Sequence, residues 1–257
     1  MKKDKNYILS ADTPEIKALI SHAKDLYNKA IFSGRCLYTK FLTPPEAETI
    51  YNRFPKDVCP ITLFGGYDDA ERKVASFGEP HDKENFPIAC IKVISKGSKA
   101  LSHRDYLGTV LSLGIKREMI GDIVITDEGT YIFALEEIAP FIVDNLFKVS
   151  NTGVECAICE KTEDVRIRRE YVTYDSTVSS LRLDSVVASA VKKARSASLE
   201  LIQRGLVLQN YKETNSASSP VKDGDILTIR GFGKFLIKTN GSVTKKGRIH
   251  IEINKFS

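Results

Sequence analysis

The chain has 257 residues, 42% of them hydrophobic, and a formal net charge of +5 from 38 Lys and Arg against 33 Asp and Glu. That is a soluble globular composition with enough apolar material for two or three packed domains. No stretch approaches the apolar length of a membrane span. Lys2, Lys3 and Lys5 precede no apolar run, so neither a membrane helix nor a signal peptide is expected.

Five cysteines, Cys36, Cys59, Cys90, Cys156 and Cys159, are an odd and widely spaced set. They fit a reducing cytoplasm better than a disulfide framework. Cys156-Ala157-Ile158-Cys159 is a lone C-x-x-C with no second pair, and His22, His81, His103 and His250 are scattered. In a strand the two thiols point to opposite faces, so no metal site and no cofactor are expected.

Residues 1–75 read as mainly helical. Asp12 or Thr13 can cap a helix with Pro14 at its first position, and Ile16, Leu19, Ile20, Ala23 and Tyr27 form its apolar stripe. Thr43-Pro44-Pro45-Glu46 opens a second helix that runs through Tyr51 and Phe54. Ile61 to Tyr67 reads as a strand ending at Gly65-Gly66, which lacks the Gly-Lys-Ser/Thr of a phosphate loop. A helical stretch near Asp68–Val74 and a loop around Gly78–Pro87 follow.

Residues 87–160 carry a clearer order. Ile88 to Ile94 is a strand. Ser102 to Leu113 is a helix with a Ser102-x-x-Asp105 capping box, ended by Gly114. Asp122 to Thr126 and Thr130 to Leu135 are strands around an Asp127-Glu128-Gly129 turn. A helix from Glu136 to Phe147, interrupted or started near Pro140, and a strand from Gly153 to Cys159 complete a β-α-β-β-α-β order, the ferredoxin-like arrangement of many RNA-binding domains. Tyr131 and Phe133 share one face of the third strand, but the first strand offers no aromatic to complete a base-stacking platform. Core packing is therefore the favoured role for these two rings. His103-Arg104-Asp105 resembles the protein-kinase tripeptide without the rest of that machinery. Asp105 is better read as the capping acid, which leaves His103 and Arg104 exposed as a possible secondary RNA contact.

Residues 181–231 form the most informative segment. Leu183, Val186, Val187, Ala190 and Val191 make one helical stripe, with Asp184 as its expected N-cap. Lys192-Lys193-Ala194-Arg195 is a basic turn. Ser196 is the expected cap of a second helix whose Leu199 and Ile202 face the core, and Gly205 supplies a left-handed stop. Leu206 to Gln209 and Ile226 to Arg230 read as paired strands. Arg182, Lys192, Lys193, Arg195 and Arg204 converge on this compact module, the footprint of a phosphate-backbone binder. From Leu181 to Ser257 there are nine Lys and five Arg against six Asp and Glu, a net of +8, so residues 1–180 carry −3. The basic character is thus concentrated in the last third, which points to an anionic partner there.

Arg182-Leu183-Asp184, Lys193-Ala194-Arg195-Ser196, Leu201-Ile202-Gln203-Arg204-Gly205, Val207, Asn210 and Val221-Lys222-Asp223-Gly224-Asp225 occur in the order and spacing of the RNA-binding domain of small-subunit ribosomal protein S-four. The segment closely resembles that domain. The resemblance implies RNA contact through Arg182, Lys192, Lys193, Arg195, Ser196 and Arg204. Its hairpin turn usually holds Asn-Gly. Here it is Asn210-Tyr211, and because Tyr tolerates positive φ poorly the turn type stays open.

Beyond Gly231, Lys234 to Thr239 and Val243-Thr244 flank Asn240-Gly241, a hairpin signal. Ile249, Ile251 and Ile253 alternate with Arg248, His250 and Glu252 in a half-buried strand. Lys245, Lys246 and Arg248 either extend an RNA surface or solvate a strand edge.

Phe41-Leu42-Thr43-Pro44, His103-Arg104-Asp105-Tyr106-Leu107-Gly108, Leu113-Gly114-Ile115 and Gly121-Asp122-Ile123, together with the C-terminal module, make the whole chain resemble the YlmH family. These are bacterial, cytoplasmic proteins, encoded near division genes in many Gram-positive bacteria. The expected fold class is α+β and multi-domain. An α-rich, helical or mixed N-terminal domain spans 1–80, a ferredoxin-like domain 81–165, and an S-four-type domain with C-terminal strands 180–257. The resemblance implies a monomeric, non-enzymatic protein that binds ribosomal RNA and tRNA on the large ribosomal subunit during quality control of stalled translation, with no membrane partner. One alternative is an RNA-modifying enzyme guided by the same domain; no catalytic Asp context, His-x-Gly-His motif or nucleotide loop supports it. Another is a division-associated interaction protein, suggested by gene context alone.

Overall fold

The computed structural model describes residues 13–79, 85–97, 100–159 and 171–256. Lys2, Lys3, Lys5, Asp12 and His81 lie outside them, as do residues 80–84 of the expected loop and 160–165 of the expected middle domain. The chain is mixed α/β, with six α-helices and three sheets among the described residues. It divides into two compact units, Met1–Arg168 and Arg169–Ser257.

The first unit opens with helix α1, Pro14–Ser33. Thr13 caps it by accepting from Ile16 N at 3.4 Å, Pro14 takes the first position, and Gly34 closes it at φ 65°. The strand β1 (Leu37–Tyr38) and helix α2 (Pro44–Arg53) follow; Thr43 and Glu46 form a capping box on α2. Strands β2 (Ile61–Phe64) and β3 (Val74–Phe77) join β1 in an antiparallel sheet of order β1-β3-β2. The N-terminal region is therefore α-rich but mixed: α1 and α2 supply most of its regular structure, and a short sheet lies between and after them.

The expected helix near Asp68–Val74 is absent. Its amides are engaged elsewhere: Glu71 N and Arg72 N donate to the Asp122 carboxylate at 2.7 and 3.1 Å, and Tyr67 Oη donates to it at 2.8 Å. A carboxylate that collects these donors replaces the i−4 carbonyls a helix would need. Arg72 spans the same region, donating to the carbonyls of Ile120 and Phe41, both at 3.0 Å. Arg117 also reaches the Ile120 and Gly121 carbonyls. Burial, with the adjacent charge of Arg72, lowers the Arg117 guanidinium to about 10 against the opposing pull of Asp122.

The second sheet is built from β4 (Ile88–Ser95), β5 (Ile120–Thr126), β6 (Gly129–Leu135), β7 (Lys148–Val149) and β8 (Thr152–Ile158), with helix α3 (His103–Ser112) after β4 and α4 (Ala139–Asn145) after β6. Its order is β5-β6-β4-β8-β7, antiparallel throughout. The capping box forms as read: Ser102 Oγ accepts from Asp105 N, and Asp105 Oδ2 accepts from Ser102 N at 2.9 Å. Helices α3 and α4 cover one face through Tyr106, Val110, Ala139 and Ile142. The other face carries Cys90, Tyr131 and Phe133, packed against Phe41, Tyr67 and Phe86 from the preceding segment. Tyr131 is 6% exposed and Phe133 is fully buried, its ring stacked 4.9 Å from that of Tyr67. Both rings are core, as expected, and neither is open to a base. Cys156 faces the helical side and Cys159 the opposite side.

The second unit comprises β9 (Tyr171–Val178), α5 (Leu183–Ala190), α6 (Arg195–Gln203), β10 (Val207–Gln209), β11 (Lys212–Glu213), β12 (Ile226–Ile229), β13 (Gly233–Lys238) and β14 (Ile249–Phe256). Its sheet has the order β11-β10-β12-β13-β14-β9. Leu183, Val186, Val187, Ala190 and Ile202 of the helices bury against Leu227, Ile229, Phe235, Ile237, Ile251 and Ile253 of the strands. Gly205 stands at φ 65°, and the amides of Gly205 and Leu206 return to the carbonyls of Ile202 and Leu201 at 3.0 Å each, which closes α6.

The Asn210-Tyr211 turn resolves as a two-residue loop with both residues at positive φ, 50° and 65°. That is the primed geometry suited to hairpin twist. Asn210 holds it by donating to Asp225 Oδ1 at 2.8 Å and accepting from Ile226 N at 2.9 Å. Asn240-Gly241 is not a two-residue hairpin. It sits inside the longer loop between β13 and β14, whose pairing begins at Lys238↔Glu252.

Candidate nucleic-acid interface

Two of the expected caps are displaced. Helix α5 starts one residue before Asp184, with Arg182 as N-cap. Its first amides need no side-chain cap, because Leu183 N donates to Ser219 O at 2.8 Å and Asp184 N to Ala217 O at 3.0 Å. Asp184 is thus inside the first turn. Helix α6 starts at Arg195 with Ala194 as N-cap, so Ser196 is its second residue and caps nothing. No side-chain oxygen bonds this helix N-terminus; Ala197 N turns back to Ala194 O at 3.0 Å, which leaves the amides of Arg195 and Ser196 suited to an anion.

The Asp184 side chain is 2% exposed, yet it meets two arginines that are about half exposed. Arg182 donates from Nε and Nη2 at 3.3 and 3.4 Å. Arg195 donates from Nε and Nη2 at 3.1 and 2.7 Å. Ser185 N adds a bond at 2.8 Å. Burial works to raise the Asp184 carboxyl, but the hydrogen bonds and charges of Arg195 and Arg182 hold it below its ordinary value. The buried hydroxyl of Ser198 lies 2.8 Å from Asp184 O and 2.7 Å from Arg195 O, which fixes the two helix starts against each other.

The basic turn lies between these two starts. Lys192 stands at φ 54°, and Lys192 N and Lys193 N return to the carbonyls of Ser189 and Ala188 at 3.2 and 3.0 Å. This is a helix stop usually given to Gly. The Lys192 ammonium sits 4.3 Å from the centroid of the Tyr174 ring, on the same side of the sheet as α5. Lys193 and Ser196 are exposed.

The structure therefore brings Arg182 and Arg195 together on one carboxylate, next to Lys192, Lys193, Ser196 and the open end of α6. Arg204 is not part of that group. It lies at the far end of α6, about 13 Å along a nine-residue helix, paired with Glu200 at 3.2 Å. Arg248 is anchored: its guanidinium donates to Thr177 Oγ1 at 3.0 Å and to Thr177 O, bracing the edge strand β9. Lys245 and Lys246 are exposed in the turn before it, and His103 and Arg104 are exposed at the start of α3 in the other unit. Sequence reasoning missed Tyr174 and misassigned Asp184. The available signal was an acid flanked by arginines two residues before and eleven after it. Among the described residues no group of three or more His, Cys, Asp or Glu is placed to hold a metal, and no helix is long and apolar enough to cross a membrane.

Residues 81–163, the segment of the second sheet, match a family model described as "Putative RNA-binding domain in YlmH". The fold and the match together define a mixed α/β chain that carries a domain of that type. The chain is also 32% identical over 233 residues to the ribosome-associated protein quality control protein P2 of Bacillus subtilis (strain 168), an alignment that spans 86% of this chain and 88% of the relative. It belongs to the YlmH family. A solved structure, the cell division protein ylmH from Streptococcus pneumoniae, matches the fold with a TM-score of 0.51 at 20% identity, over 62% of this chain and 99% of that one.

Proposed function

We propose that this protein binds RNA without catalysing a reaction, and does so on the ribosome. Its targets are ribosomal RNA and tRNA on the large subunit, when translation has stalled. The B. subtilis relative is named for ribosome-associated protein quality control, which supports this assignment. In this reading the order β5-β6-β4-β8 is a ferredoxin-like domain, and the second unit is an S-four-type RNA-binding domain extended by C-terminal strands. The protein works as a cytoplasmic monomer and needs no metal or cofactor.

The observation that carries the reading is the rim of Arg182 and Arg195 over Asp184, with Lys192, Lys193 and the uncapped end of α6 beside it. A guanidinium can hold a phosphate by two parallel hydrogen bonds, and a helix N-terminus favours the same charge. Because Tyr131 and Phe133 are buried, the middle domain does not use them to stack bases. Contact through the phosphate backbone at the second unit is the simpler route.

The test is sedimentation with ribosomal particles from the organism's own cells, with thermal melting measured on the same preparations. The parent is expected to travel with large subunits, more so when peptidyl-tRNA is retained. Arg182→Ala and Arg195→Ala are each expected to release it while remaining folded, and Arg195→Lys to recover part of the binding. Parent-like sedimentation of both alanine variants, or tracking of the parent with small subunits alone, overturns the assignment.

A further inference from the structure

We infer that Asp184 is a positioning residue, which pre-orders the guanidiniums of Arg182 and Arg195 so that both present their outer donors to one stretch of RNA backbone; this rests on the reading of the rim as an RNA site.

A carboxylate 2% exposed is expensive to desolvate and is found paired. One arginine would suffice for pairing, yet Asp184 takes two, and from each the same edge, Nε and Nη2. A guanidinium has five N–H donors, so each fork keeps its remaining donors for another acceptor. Each arginine is about half exposed, at 45% and 52% of its side chain. The carboxylate cannot follow its partners outward. The Asp184 backbone is fixed by Ala217 O, 3.0 Å from its amide, and by the hydroxyl of buried Ser198, 2.8 Å from its carbonyl, and Ser185 N holds the carboxylate itself at 2.8 Å. Arginine side chains lose much rotamer freedom when they bind. Here that freedom is already restricted in the unbound protein, which lowers the entropy cost of engaging RNA.

Charge alone makes the opposite prediction. Asp184 is an anion held against the proposed phosphate site, so neutralising it raises the local positive potential and should tighten RNA binding. The two accounts therefore differ in sign for Asp184→Asn. An asparagine keeps the shape but offers one acceptor oxygen and an NH2 group, so it can align one arginine and repels the donors of the other.

Binding to a structured ribosomal RNA fragment is measured for the full chain, with melting on the same samples. The folded Asp184→Asn variant is expected to bind about tenfold more weakly than the parent, the loss of one charge-assisted hydrogen bond. The double variant with Arg195→Ala is expected to bind no more weakly than Arg195→Ala alone. Asp184→Glu keeps the charge and shifts the carboxylate by one methylene, so it too is expected to weaken binding. If Asp184→Asn binds as tightly as the parent or tighter, while Arg195→Ala is weak, the positioning role is wrong and the RNA site stands. If Arg195→Ala itself binds like the parent, the RNA site is wrong. Should the Asp184 variants fail to fold, the parent decides. The Nε–H protons of Arg182 and Arg195 are expected to exchange with solvent more slowly than that of exposed Arg204. Equal exchange overturns the proposal.

Discussion

Lys192 holds its ammonium 4.3 Å from the centroid of the Tyr174 ring while its own backbone stands at φ 54°. A left-handed conformation costs a side-chain-bearing residue about 1–2 kcal/mol, and the ring contact returns about 0.5–1 kcal/mol. Glycine at this position therefore gains the backbone term and loses the ring term. Lys192→Gly is expected to leave stability within about 1 kcal/mol of the parent. Lys192→Ala keeps the strained backbone and loses the ring contact, so it is expected to melt lower. Both remove the same charge and should weaken RNA binding equally. Denaturant unfolding and RNA titration of the pair check this; equal stability of the two variants would show that the left-handed residue carries no cost.

Much of the second unit was legible in the sequence, because its signals are local. The stripe from Leu183 to Val191, the basic turn and the Gly205 stop each lie within one turn of the residues they organise. The roles that were not legible depend on partners far along the chain. Asp184 reads as a cap until Arg195 folds back onto it from eleven residues away. Asp68 to Val74 reads as helical until the amides of Glu71 and Arg72 find Asp122, some fifty residues later. Strand β1 has only two residues, too few for any periodic pattern, and it exists because Leu37 and Tyr38 pair with Phe77 and Ser76. The burial of Tyr131 and Phe133 was legible, because the first strand offers no aromatic to make a stacking platform; the cover supplied by Phe41, Tyr67 and Phe86 was not.

RNA affinity is expected to fall steeply with salt, since each phosphate neutralised releases condensed counterions. Lys193→Ala is expected to weaken binding to all structured RNAs alike, and to reduce the slope of log affinity against log salt by about one. Arg248→Ala is the contrast. Its guanidinium braces Thr177 and takes no part in the Asp184 rim, so its loss is expected to lower stability by about 1 kcal/mol and leave the slope unchanged. A salt-independent affinity of the parent would remove the backbone-contact model.

The acid limb of stability should carry the signature of Asp184. Burial opposes its charge, but Arg195 and Arg182 hold its carboxyl below the ordinary aspartate value. A group depressed in the folded state contributes stability that is full above its unfolded value, about 3.9, and is lost as pH falls through the folded one. The contribution is therefore expected to be constant from pH 5 to pH 8, on the order of physiological conditions, and to disappear only in strong acid. Melting curves of parent and Asp184→Asn across pH should converge at the acid end. A stability difference that stays constant down to the lowest pH would show that the charge of Asp184 contributes nothing.

Asp122 is expected to matter for folding and not for RNA. It is 9% exposed and accepts from Tyr67 Oη, Glu71 N and Arg72 N, which ties the N-terminal segment to β5. Asp122→Asn keeps the volume but turns one acceptor into a donor that faces these N–H groups. Leaving buried donors unpaired costs about 1–3 kcal/mol each, so a loss of about 2–4 kcal/mol is expected. Tyr67→Phe removes one bond and leaves the carboxylate its backbone donors, and should cost about 1 kcal/mol. In the double variant the costs should not add, because both act on one carboxylate. Denaturant unfolding of the four proteins measures that coupling, and RNA binding of the folded fraction should equal the parent's. Additive costs would show that the two side chains do not interact, and weakened RNA binding by the folded variants would place this buried node within the RNA site.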